Sequence, residues 1–152
     1  MKQTSLIRII TASVLLFGMM TWGGFSAYAN LKIVAKVNGK PITNYDVDQR
    51  ARFLKAVTNL PETENIEKQI RKDALQMLVD DTLKMQVALT TNASVRQQAD
   101  GPAANLIEQS FSSDDETGSA ALRRMNLNYD SVKTKFATDL IWSGYLQDKL
   151  AD

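Results

Sequence analysis

Two pairs of adjacent carboxylates, Asp80-Asp81 and Asp114-Asp115, are the residues best suited by type to bind a cation or to share acid and base work. Convergence is what such work needs, and neither pair promises it. Neighbours on a helix point about 100° apart, so Asp80 and Asp81 diverge if their segment is helical. Both are expected to be solvated between apolar positions. Asp114-Asp115 belongs to the polar run Ser112–Gly118, a loop by composition. The chain has no histidine and no cysteine, which removes most zinc sites, most nucleophile–base pairs and the usual near-neutral proton shuttle. The seven glycines form no phosphate-binding signature, and no hydrolase signature surrounds a serine. The sequence therefore predicts no catalytic set, no metal site and no cofactor.

What remains is apolar surface. At 100° per residue, Val132, Phe136, Leu140, Trp142, Leu146 and Leu150 fall on one broad side of a final helix, and Ile141 and Tyr145 fall near the other. A helix apolar on two sides must meet two things. Either a second layer of the domain covers Ile141 and Tyr145, or they face a client or a second copy. The pair is taken as candidate client- or partner-binding residues. Phe53, Met77 and Met85 join them, because aromatic and methionine side chains adapt to varied apolar partners; simple core packing is the alternative for these three.

The elements that would position these residues can be traced from the start of the chain. Met1–Arg8 carries Lys2 and Arg8 and no acid, Ile9–Trp22 is almost unbroken apolar sequence, and Ala27-Tyr28-Ala29 is an A-x-A site. This pattern predicts a signal peptide, residues 1–29, cut between Ala29 and Asn30. The apolar run is about 14 residues, short of the roughly 20 of a transmembrane helix, so no stable membrane span is expected after cleavage. The mature part, residues 30–152, carries 16 basic against 17 acidic residues. A near-neutral total offers no electrostatic attraction for nucleic acid or anionic lipid, so partners would be held by shape and apolar contact. Without cysteine, an exported chain must rely on its core alone.

Lys32–Val37, Asn38-Gly39 and Lys40–Ile42 predict a β-hairpin, with Pro41 confining it to a short or edge strand. Thr43 is placed as the N-cap of a helix reaching Thr58, with Val47, Ala51, Leu54 and Val57 inward. A longer helix runs from about Pro61 to Leu89, its stripe formed by Ile66, Ile70, Ala74, Met77, Leu78, Met85 and Leu89. A third, Ser94–Phe111, has a weaker stripe of Val95, Ala99, Ala103, Leu106 and Phe111. Gly101-Pro102 is expected to kink it or split it in two. A short helix, Ser119–Met125, and a last one capped by Asp130 or Ser131 and running to Leu150 complete the chain. The expected fold is mainly α: a small N-terminal hairpin, then about five helices with a long central one. No βαβ alternation is present.

Two segments carry a family resemblance. Val37–Asp48, VNGKPITNYDVD, resembles the opening of SurA-type chaperones and related parvulin foldases, where a strand, an N-G turn and a T/S-capped helix follow the signal peptide. Met125–Asp130, MNLNYD, is similar to the entry into the last long helix of the SurA N-terminal domain, and Ile66–Val87 resembles its central helix. The resemblance implies a trigger factor/SurA peptide-binding-like fold. It also implies an ATP-independent periplasmic holdase for unfolded outer-membrane or exported proteins, with no catalytic residues in this module. Family members usually continue into parvulin domains and a returning C-terminal segment. A chain stopping at Asp152 has no room for a parvulin domain and is expected not to isomerise proline bonds. An uncovered hairpin edge would then favour self-association or a separate partner. An adaptor using the same fold, or a truncated peptidyl-prolyl isomerase, is the alternative.

Overall fold

The computed structural model describes residues 31–58 and 60–151. The expected signal peptide and its cleavage site lie outside the described residues. An antiparallel hairpin, β1 (Ile33–Val37) and β2 (Lys40–Thr43), precedes five helices: α1 (Asn44–Thr58), α2 (Glu64–Thr91), α3 (Val95–Phe111), α4 (Gly118–Arg124) and α5 (Tyr129–Ala151). The mainly α architecture expected from the sequence is the one observed.

The hairpin turns where Asn38 (φ 49°) and Gly39 (φ 85°) both adopt positive φ, the requirement of a type I′ turn and the reason for the Asn-Gly pair. Pro41 faces Lys36 across the ladder. Gln86 of α2 fastens the turn. Its Nε2 donates to the Val37 carbonyl at 3.1 Å, and its Oε1 accepts from Asn38 Nδ2 at 2.8 Å. Thr43 then caps α1 as expected. Thr43 Oγ1 accepts from the Asp46 N–H at 3.2 Å, and the Asp46 carboxylate accepts in return from the Thr43 N–H at 2.8 Å, a reciprocal capping box.

Three apolar clusters form the core. The first joins hairpin, α1 and the first half of α2 through Val37, Ile42, Val47, Ala51, Ile70 and Ala74. Val57, expected inward, is 50% exposed; it lies in the last turn of α1, about 80° around the helix from Val47. The second joins α2, α3 and α5 through Met85, Ala88, Ala99, Ala103, Ala137 and Ile141. The third gathers Ile107, Leu122, Leu127 and Val132, with Phe53, Phe111 and Phe136 against it. Ile107, absent from the expected stripe of α3, is fully buried, whereas Leu106 is only half-buried.

α3 is one helix, not two, with Pro102 inside it. Gly101 and Pro102 both lie on its exposed side, where water can meet the carbonyl that proline leaves without a donor. The α4–α5 junction explains the MNLNYD segment. Asn126 takes positive φ (56°), while the Leu127 N–H donates to the Leu122 carbonyl at 2.8 Å and the Asn126 N–H to the Arg123 carbonyl at 3.0 Å. This is a Schellman motif, with Leu122 and Leu127 in one cluster. Asn128, rather than Asp130 or Ser131, caps α5: its Oδ1 accepts from the Ser131 N–H at 2.9 Å. Two residues after one helix is closed the next is opened, because Asn tolerates positive φ at the first place and supplies a side-chain acceptor at the second.

At the start of α4 a Cβ on Gly118 would stand 2.7 Å from the Ile107 carbonyl oxygen; only glycine lets α3 and α4 approach so closely. At the other end of α4 the Arg124 guanidinium donates to the Glu116 carboxylate, at 2.9 Å from Nη2. Bonding to that carboxylate and its charge hold the guanidinium above its ordinary pKa.

Candidate functional site

Asp80 and Asp81, the first candidates by type, have separate roles. Asp81 is 9% exposed, not solvated as expected, and accepts at 2.7 Å from Arg50 of α1, itself 7% exposed. The sequence carried the signal: Ala74, Leu78, Asp81, Met85 and Ala88 recur in steps of four and three, so Asp81 sits on the inward seam of α2. Asp80 lies off that seam and accepts from Gln76 Nε2 at 2.9 Å. Asp114 and Asp115 are exposed in the loop. Among the described residues no group of histidines, cysteines and acids could hold a metal ion.

The apolar candidates sort into different places. Ile141 is 4% exposed, packed with Met85, Ala88, Ala99, Ala103 and Ala137. Of the broad side of α5, Val132 is buried, while Leu140, Leu146 and Leu150 are exposed. The buried face of its middle runs through Ala137, Thr138 and Ile141, and Val132 is buried separately at the start of the helix. Counting only large side chains passes over Ala137 and Thr138, whose small size lets α5 come close to α2 and α3. Tyr145 is half-buried, one turn further along, and stacks on Trp142 with ring centres 5.1 Å apart.

Ile141 and Tyr145 meet again in a groove of about 340 Å³ between the end of α2, the first half of α3 and the second half of α5. Ala88, Ala99 and Ile141 are its buried members, and Val95, Pro102, Leu140 and Tyr145 stand higher. Asp148 is the one charged residue in its lining. Such a hollow suits uncharged, apolar side chains, and its size lies in the range of small-ligand sites. The pairing of small residues on facing helices was the missed sequence signal: Ala99 and Ala103 on α3, Ala137 and Gly144 on α5.

The other candidates are elsewhere. Phe53 meets Phe136 edge-on at 6.2 Å and lines a second crevice of about 230 Å³ between α1 and α5, whose lining includes Asp46, Arg50, Asp130 and Lys135. Met85 is buried core and also lines a hollow beside Ile42, Arg50 and Thr138. Met77 is half-buried on α2 and lines none of the hollows described. The structure therefore unites Ile141 with Tyr145 in the groove, packs Met85 against Ile141 in the core beside it, and leaves Phe53 and Met77 apart.

Fold and groove together define a small helical module that offers apolar hollows rather than a reaction centre. No helix among the described residues is long and apolar enough to cross a membrane. The chain belongs to the family of SurA-like N-terminal domains, whose model matches residues 1–146. That family assignment makes it a chaperone-like, peptide-binding type of module, and no peptidyl-prolyl isomerase domain is matched. No curated protein and no solved structure matches the chain.

Proposed function

We propose that the domain is an ATP-independent periplasmic holdase, which keeps unfolded exported or outer-membrane polypeptides from aggregating by taking their apolar side chains into the α2–α3–α5 groove. The observation that carries this reading is the groove itself: open, lined largely by apolar residues, with Ile141 at its base and the Trp142-braced Tyr145 on its wall. A polypeptide segment bound there meets little charge to repel or select it, which favours many clients over one. Leu140 and Tyr145 are the residues to change, because neither is a buried core residue. Leu140→Ser with Tyr145→Ser should leave helical content and the denaturant midpoint nearly unchanged while weakening suppression of aggregation for several unfolded clients. An adaptor for one folded partner would suppress none of them even before substitution. Export is part of the proposal, and N-terminal sequencing of the exported protein should find Asn30 first.

A further inference from the structure

The near-neutral total charge conceals a local asymmetry. From Leu31 to Tyr45 the chain carries three lysines, Lys32, Lys36 and Lys40, and no acid. All three are exposed. Of the 13 cations from Asp46 to Ala151, seven are held in ion pairs, and these three lysines are in none. From Asp46 to Ala151 acids outnumber bases by 16 to 13, so the positive charge is concentrated on the hairpin. The same stretch exposes large apolar side chains: Leu31 is 64% exposed, Ile33 57%, Val34 47% and Tyr45 43%.

We propose that the hairpin docks on the surface of an anionic phospholipid bilayer. Lysines interleaved with exposed aliphatic residues are what a lipid interface takes. The ammonium groups stay among the phosphates, and the apolar side chains enter the headgroup–acyl boundary. Each lysine near an anionic surface contributes about 1 kcal/mol. Leu31, Lys32, Ile33, Val34 and Lys36 line none of the hollows described, as suits a flat partner. An added peptide strand fits less well, because the irregularity between Ile33 and Ala35 interrupts the regular ladder on β1. The docking surface is separate from the client groove, so either can fail without the other.

The test compares the exported protein with its Lys32→Gln/Lys36→Gln/Lys40→Gln variant, co-sedimented with vesicles of phosphatidylcholine alone or mixed with phosphatidylglycerol. Wild type should partition onto the anionic vesicles at least about tenfold more than onto the neutral ones, and salt should abolish the difference. The glutamine variant should lose about a hundredfold in partition, at about fivefold per lysine, and keep its suppression of aggregation. Val37 and Ile42, which anchor the hairpin, are untouched. The matching Lys→Arg variant should bind like wild type, and so controls for folding. Wild type that binds both vesicles equally, or a glutamine variant that binds like wild type, would overturn the proposal. So would a protein that ignores anionic vesicles but captures an unfolded glutamate-rich polypeptide through the same lysines.

Discussion

Around the second half of α2, the contact with α1 and the contact with α3 and α5 are made by different means. Towards α1 the contact is braced by directional polar bonds. Arg50 of α1 pairs with Asp81 in the interior, and beside it on α1 the buried Gln49 accepts from the Asn128 N–H at the cap of α5, at 2.8 Å. Towards α3 and α5 the contact is made by small side chains, with Ala88, Ala99, Ala103 and Ala137 around Ile141. A polar brace fixes register, because a bond of one length and direction admits one alignment, but it must offset the cost of taking charge out of water. An alanine contact needs no such compensation and brings backbones close, but it tolerates little added volume. The difference teaches where each contact is vulnerable: the first to losing a partner, the second to changes of size.

Removing a partner should do the most harm. Asp81→Ala leaves the Arg50 guanidinium buried without its anion and should cost about 3–5 kcal/mol, read from the urea midpoint. The double change Arg50→Met with Asp81→Leu should recover most of that loss, since apolar replacement of a buried pair is often neutral. Full recovery would show that the brace supplies alignment rather than stability. Next comes Ile141→Ser, expected to cost about 2–5 kcal/mol through lost burial and a cavity. A nearly unchanged midpoint would mean that α5 can leave this cluster at little cost. Ala103→Leu should cost about 1–3 kcal/mol by overpacking. If the variant instead gains stability, the α3 contact is loose and the contrast between the two contacts fails. The smallest effect expected is that of Gln49→Ala, about 1 kcal/mol. Its hydrogen-exchange signature should be local, with faster exchange at Asn128 and the first turn of α5.

Local chemistry made much of the fold legible. Asn38-Gly39 announces its turn because few residues accept positive φ, and Thr43 with Asp46 announces α1 because the two residues satisfy each other's backbone. The seam of α2 stands out because its period is sustained over 28 residues. Properties that depend on a distant partner were hidden. Asp81 reads as a surface acid until Arg50 is placed 31 residues upstream. Which side of α5 packs inward stayed open because large residues were weighed and Ala137 was not, although its smallness lets α3 approach. Pro102 predicts a kink or a split in α3, and the helix is not split; whether a proline breaks a helix depends on what meets the freed carbonyl. The groove was half visible: Ile141 and Tyr145 were found together, as either core or partner-facing, whereas one is the base and the other the wall of one hollow.

The order in which the three clusters draw on the chain matters for a polypeptide delivered N-terminus first. The first cluster is complete within Val37–Ala74, with its flanking partners reaching only to Val79. The second and third both wait for α5, through Ala137 and Ile141 in one and Val132 in the other. A chain emerging N-terminus first can therefore settle its hairpin and first helix pair early. It must hold α3 and α4 unfinished until the last helix emerges, and Gln49 cannot close on Asn128 before then. During that interval the segments that later wall the groove are themselves unfolded clients, so the domain spends its own assembly in the condition it is proposed to relieve in others.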